Sequence, residues 1–195
     1  MDLKNLEFAS IDFESTGHRE GIGDEPIQVG IAVMKGFEID KNSFFRSYIK
    51  PSNDLQITSR SQSVHRIKNE QLEKSPVLFE LWPKINELLS KRVVVAHGAG
   101  TEKRFLRSFP MHGFDLWIDT LQLARSKFPG TSNSLDNLCK RFNVDFSKRI
   151  KHNALLDCEL LSKVYVNLLD QKEPKSVSYT HLRAHETRED RVCRG

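Results

Sequence analysis

Leu6-Glu-Phe-Ala-Ser-Ile-Asp12-Phe-Glu14-Ser15-Thr16-Gly17 is a run of branched, aromatic and small residues that ends in acids, hydroxyls and a glycine. After the turn-prone stretch Gly17 to Glu25 (GHREGIGDE) comes a second run of the same kind, Pro26 to Val33 (PIQVGIAV). Two β-prone segments separated by glycine-rich punctuation predict a hairpin, with strands over Leu6 to Phe13 and Pro26 to Val33. A third strand is expected over Phe44 to Ile49 (FFRSYI), because Pro51, Ser52, Asn53 and Asp54 then break the run. Three consecutive early strands imply a sheet with an antiparallel section.

Beyond this sheet the period changes. Pro76 to Leu89 (PVLFELWPKINELL) carries helical spacing, with Pro83 marking a kink or restart, and Val93 to Ala96 is a short buried strand. Further helices are expected near 101–109, 119–127, 134–142 and 153–170, with Ser134 as the N-cap of the third. Strands first, then a strand among helices, indicate an α/β protein: a mixed central sheet flanked by helices in three layers.

The chain has 195 residues, 38% of them hydrophobic, enough for one domain with a real core and too few to expect two. No apolar run approaches the roughly 20 residues of a membrane span, and the N-terminus lacks a secretory-type apolar stretch, so a cytoplasmic protein without a membrane partner is expected. Cys139, Cys158 and Cys193 are widely spaced and odd in number, which fits a reducing compartment and offers no zinc pattern. The net charge of +4 is compatible with a polyanionic partner without requiring one. After Pro174 the helical spacing stops. Val177 to Thr187 (VSYTHLRAHET) resembles a conceptual translation of the transposase adapter used in short-read library preparation. The domain is therefore set at residues 1–175, with 176–195 a non-native tail excluded from fold reasoning.

The functional signal is the position of acids relative to apolar faces. Asp12 and Glu14 are two apart in a strand, so their side chains share a face, about 6.6 Å apart along the chain. Glu102 precedes Phe105, Leu106 and Phe109 at spacings of three, four and seven, which places its carboxylate on the inward stripe of a helix. Asp157 stands in the same relation to Leu160, Leu161 and Val164. A buried carboxylate costs several kcal/mol unless paired or bound to a cation, and two held about 4.5 Å apart repel by roughly 3 to 4 kcal/mol at an effective dielectric near 20. Either lysines and arginines neutralise these acids or a divalent cation does. Oxygen ligands without nearby cysteines favour Mg²⁺ or Mn²⁺ over zinc. His152, five residues before Asp157, can fold back toward the acids only from the loop or cap before the last helix. There it can accept a proton from water.

These residues fall in three ordered motifs. Asp12-Phe-Glu14-Ser15-Thr16-Gly17 resembles the first motif of DnaQ-like, DEDDh-type 3'-5' exonucleases, His97-Gly-Ala-Gly-Thr-Glu102 the second, and His152-Asn-Ala-Leu-Leu-Asp157 the third. Val64-His65-Arg66-Ile67 is similar to the family's VHGI segment, and Phe128 to Cys139 resembles the run before the third motif in bacterial proofreading subunits. The resemblance covers residues 6–170. It implies a ribonuclease H-like fold in which Asp12, Glu14, Asp157 and Glu102 bind two Mg²⁺ or Mn²⁺ ions and His152 is the general base. Ser15, Thr16, Gly17 and His65 would lie against the terminal nucleotide of a nucleic acid 3' end, with Gly17 permitting close approach. Single-stranded DNA is the favoured substrate and RNA the alternative, and a DNA polymerase is the partner the resemblance suggests. The second motif usually reads HNxxFD, so Gly98, Thr101 and Glu102 depart from it. That departure motivates a second expectation, a catalytically weak or silent nucleic-acid-binding domain.

Overall fold

The computed structural model describes residues 6–18, 23–52, 56–110 and 116–170. β1 (Glu7–Ser15), β2 (Pro26–Lys35) and β3 (Glu38–Tyr48) form an antiparallel meander, and β4 (Val93–Ala96) and β5 (Trp117–Asp119) extend the sheet on the other side of β1 in the order β3-β2-β1-β4-β5. β4 runs parallel to β1, and β5 parallel to β4. The carboxyl ends of β1, β4 and β5 therefore lie together. In open α/β sheets, that edge is where ligands bind.

Side-chain alternation along β1 divides the protein into two cores. Ala9, Ile11 and Phe13 pack with Ile85, Leu88 and Leu89 of α2 (Leu78–Leu89) and Leu106 of α3 (Gly100–Leu106). Phe8 packs on the opposite face with Leu161, Val164 and Tyr165 of α6 (Ala154–Asp170), beside α4 (Thr120–Lys127) and α5 (Leu135–Arg141). Ser10 follows Phe8 on that face and its hydroxyl meets Ser162 of α6 at 2.9 Å. Period two then turns Asp12 and Glu14 toward the same side. The α6 face of β1 thus grades from aromatic to hydroxyl to carboxylate as it nears the carboxyl edge.

The expected three-layer architecture is present, and several element bounds differ from the sequence reading. β3 starts at Glu38, not Phe44, because Lys35 and Glu38 pair across a tight turn at Gly36, whose φ is +59°. Asp40 to Ser43 are polar because β3 is an edge strand, and the Ser43 hydroxyl accepts a bond of 2.8 Å from Val33 N where the register shifts. Short elements not anticipated include β5, only three residues long, a 3-10 turn over Asn69–Gln71, and α1 (Ser59–His65), capped by Thr58, whose Oγ1 accepts from Ser61 N at 3.1 Å. α2 runs through Pro83 without a restart. α3 closes at Leu106, leaving Phe109 beyond the helix to stack on Trp82 with ring centroids 4.6 Å apart. Ser134 does cap α5, accepting from Asn137 N at 3.3 Å. The tail from Ser176 to Gly195 lies outside the described residues.

Candidate active site

Asp12, Glu14, His152 and Asp157 line one cavity of about 620 Å³, together with His97, the 131–136 segment, Arg125 and Arg149. Two stretches of chain, β1 and the 149–157 segment, bring these four residues together, each held by specific local contacts. β1 delivers Asp12 and Glu14 by strand alternation. α6 delivers Asp157 three residues from its start, and the start is pinned to β2: Ala154 N donates to Gln28 Oε1 at 3.0 Å, and the Cys158 thiol donates to the Gly30 carbonyl at 3.1 Å. The 149–153 segment delivers His152, whose backbone N–H donates to Val64 O at 3.2 Å. His152 precedes α6, as the five-residue spacing required.

Ligand atoms of Glu14, His152 and Asp157 lie within 4.8 Å of one another. Glu14 and Asp157 are buried, and no lysine or arginine among the described residues forms an ion pair with Asp12, Glu14 or Glu102. Glu14 Oε1 and Glu102 Oε2 have no hydrogen-bond partner among the described residues. The electrostatic consequences follow. Asp12 keeps a small opening to the cavity, yet its interior surroundings push its carboxyl well above the usual range, and the charges of Asp157, Glu14 and Glu102 push further. Burial, reinforced by Asp157 and opposed by His152 and Arg149, raises Glu14 to about 7. Burial likewise raises Glu102 to about 7, helped by Asp119 and opposed by its own backbone N–H and by Arg104.

Asp157 differs. Burial alone would raise it, but the hydrogen bonds and positive charge of Arg149, with His152 close by, hold its carboxyl below the ordinary value. Arg149 Nε donates to Asp157 Oδ1 at 2.6 Å and its Nη2 to Oδ2 at 2.8 Å. The neutralisation by basic side chains weighed from the sequence therefore holds for one acid of the four. The orphaned buried oxygen of Glu14, with ligand atoms of Asp157 and His152 within 4.8 Å, fits a divalent cation.

Glu102 stands apart from the expected cluster. It is buried on α3 with its charge felt by Asp12, but it does not line the cavity. The glycine-rich turn before it is organised instead by Asp119, at the end of β5, whose carboxylate accepts from Gly98 N at 3.0 Å, Ala99 N at 3.1 Å and Leu121 N at 2.9 Å. Sequence reasoning missed the part of Asp119, and also that of Arg149, which lies with Lys148 and Lys151 in a basic run beside His152 that reads as exposed surface. An acid directly before a helix is a cap signal that could have drawn attention to Asp119.

The 15–17 segment is clamped by its own chain. Ser15 Oγ donates to Asp24 Oδ2 at 3.1 Å, Thr16 Oγ1 accepts from Glu25 N at 3.0 Å, and Ser61 Oγ donates to Ser15 O at 2.7 Å. Gly17 has φ +87°, and a Cβ there would stand 2.3 Å from Thr58 Oγ1. The crowding that calls for glycine at this position thus comes from Thr58. His65 is buried, its Nδ1 accepting from Ile67 N at 2.9 Å, and burial lowers its pKa.

Residues 10–165 match the exonuclease family. The chain belongs to that family. Among relatives of this exonuclease, the DNA polymerase III subunit epsilon of Rickettsia conorii is 31% identical over 184 residues, covering 88% of this chain and 77% of that one. The same subunit of Salmonella typhimurium is 33% identical over 171 residues, with 80% and 68% covered. Solved exonucleases share the fold. Exonuclease X in complex with 5' overhanging duplex DNA superimposes with a TM-score of 0.66 at 21% identity, covering 83% of this chain and 90% of that one. The nuclease domain of 3'hExo, a DEDDh family member bound to rAMP, gives 0.68 at 19% identity, covering 87% and 94%. As an exonuclease the chain is a hydrolase with a ribonuclease H-like fold, and its family depends on divalent metal. No helix among the described residues is long and apolar enough to cross a membrane.

Proposed function

We propose that this chain is a 3'-5' exonuclease that releases nucleoside 5'-monophosphates from a nucleic acid 3' end using two divalent cations, with single-stranded DNA the favoured substrate. The observation that carries the reading is the meeting of Asp12, Glu14, Asp157 and His152 in one cavity at the carboxyl edge of the parallel strands. Asp12, Glu14 and Asp157 would hold the cations, with Glu102 contributing its charge from behind Asp12. When bound, Mg²⁺ or Mn²⁺ would supply the positive charge that stabilises the phosphodiester transition state and eases deprotonation of water. His152, its Nδ1 turned toward Asp157 at 3.4 Å, accepts the proton of the attacking water. Ser15, Thr16, Gly17 and His65 do not line the cavity, and their part would be to border the terminal nucleotide from the end of β1 beyond Glu14. Similarity to epsilon subunits supports association with a DNA polymerase and a cytoplasmic setting.

The deciding experiment is digestion of a 3'-labelled oligonucleotide, as single-stranded DNA, duplex and RNA, with Mg²⁺ or Mn²⁺. The expected outcome is mononucleotide release that Asp12→Ala and Asp157→Ala abolish; full activity in either variant rejects the site. Preference for RNA in the same assay would make the chain an exoribonuclease. The position of Glu102 outside the cavity lining favours a second reading, a weak or silent nucleic-acid-binding domain. Failure to bind Mn²⁺ through the acids would establish it.

A further inference from the structure

The Arg149 guanidinium is built into the site rather than laid over it. Its side chain is 6% exposed. Nε and Nη2 grip both oxygens of Asp157 at 2.6 and 2.8 Å, Nη2 also meets His152 Nδ1 at 2.9 Å, and Nη1 bonds Asp136 at the start of α5. An arginine has five N–H donors and no acceptor, so at the His152 contact the imidazole must accept. In this arrangement the Nδ1 lone pair of His152 is committed to Arg149, and so are lone pairs on both oxygens of Asp157. Both groups that the proposed function needs are held by one cation of the protein's own. Asp136, the remaining partner, has a side chain 46% exposed and is outside the Glu14, His152, Asp157 cluster.

We propose that Arg149 is a positioning residue acting as the resident counter-ion of the site: it holds Asp157 and His152 while no divalent cation is bound, and on loading it yields them and stays tethered to Asp136. Charge supports the exchange. Arg149 supplies a single positive charge to the three acids Asp12, Glu14 and Asp157. A divalent cation reaching for Asp157 meets that charge as a competitor for the same oxygens. The Asp136 contact gives the guanidinium a place to remain when Asp157 is taken, so release needs a side-chain rotation and no unfolding of the 149–153 segment. The inference rests on the metal-dependent reading of the cavity, and it assigns Arg149 to the metal-free state and to the control of loading.

The test measures Mn²⁺ binding by electron paramagnetic resonance of the free ion and by calorimetry, with melting temperatures recorded with and without Mn²⁺. Removing the competitor in Arg149→Gln should tighten Mn²⁺ binding about tenfold, the effect of one modest charge–charge interaction. The same variant should lower the melting temperature of the metal-free protein and enlarge the rise on adding Mn²⁺. Asp136→Asn, at a half-exposed position that tolerates change, should act in the opposite sense and weaken Mn²⁺ binding, because the displaced guanidinium loses its tether. A merely structural role would weaken binding in both variants. That result, or unchanged affinity in Arg149→Gln, overturns the proposal while leaving the metal reading intact. If neither wild type nor Arg149→Gln binds Mn²⁺, the metal reading of the cavity itself falls. Binding only by Arg149→Gln would be the strongest support.

Discussion

Gly30 of β2 faces the first peptide of α6 so closely that a Cβ on Gly30 would stand 2.2 Å from the carbonyl carbon of Ala154 and 2.3 Å from Leu155 N. Gly30 also pairs with Asp12 across the β1–β2 ladder. One missing side chain therefore lets the helix that carries Asp157 settle directly over the strand that carries Asp12. The obstacle would be backbone, which cannot rotate away as a side chain can.

Gly30→Ala should consequently destabilise the protein by about 1 to 3 kcal/mol, the usual cost of overpacking, and reduce nuclease activity more than stability because Asp157 is carried off with α6. Urea unfolding alongside the 3'-end assay checks this. An unchanged midpoint would mean that α6 does not depend on the missing side chain.

Glu14→Gln should separate stability from function. Glu14 is buried with an unpartnered Oε1, and its raised carboxyl marks a charge the metal-free fold disfavours. Removing that charge should raise the melting temperature in EDTA at pH 8 while lowering turnover on the order of 100-fold or more. A variant that melts lower in EDTA would show that the ionised carboxylate is stabilising in the absence of metal.

Stability should depend on pH with a sign set by the same acids. Glu14 and Glu102 rise from 4.5 to about 7 on folding, so between these values the folded protein binds more protons than the unfolded chain and stability falls as pH increases. For Glu102 alone the difference is worth roughly 3 kcal/mol. Asp157, held low by Arg149, contributes the opposite trend only at acid pH, where its stabilisation is lost as pH falls through its lowered value. Melting temperatures in EDTA should therefore decline from pH 5 to pH 8, and Mg²⁺ should reduce that decline. A flat profile in EDTA would contradict the buried-acid picture.

Glu102→Ala should cost nearly as much activity as Asp12→Ala if its charge serves the site from behind Asp12. Turnover at the wild-type level would detach the second motif from catalysis and leave the carboxylate of Glu102 as a buried acid with a purely local role. The 3'-end assay at matched Mg²⁺ concentrations distinguishes the two.

The alternation of Phe8, Ser10, Asp12 and Glu14, the helical stripe behind Asp157 and the loop position of His152 were all readable in the chain, because strand and helix periods dictate which side chains share a face. β5 and α1 were not, since three or seven residues with little apolar repetition take their structure from neighbours already in place. The same holds for Glu102. Its inward direction followed from the helical period, but whether inward meant into the cavity depended on how α3 packs against β1.

Linear order alone thus determined the sheet-and-helix class, the inward acids and the family resemblance, which depend on spacing within segments and on the order of segments along the chain. Tertiary structure alone decided that Arg149 rather than Lys148 or Lys151 turns inward, that Asp119 holds the turn before α3, and that Thr58 rather than a ligand crowds Gly17. These are contacts between residues of loops and separate elements. No repeat along the chain encodes them, because ion pairing and steric fit act through distance in space.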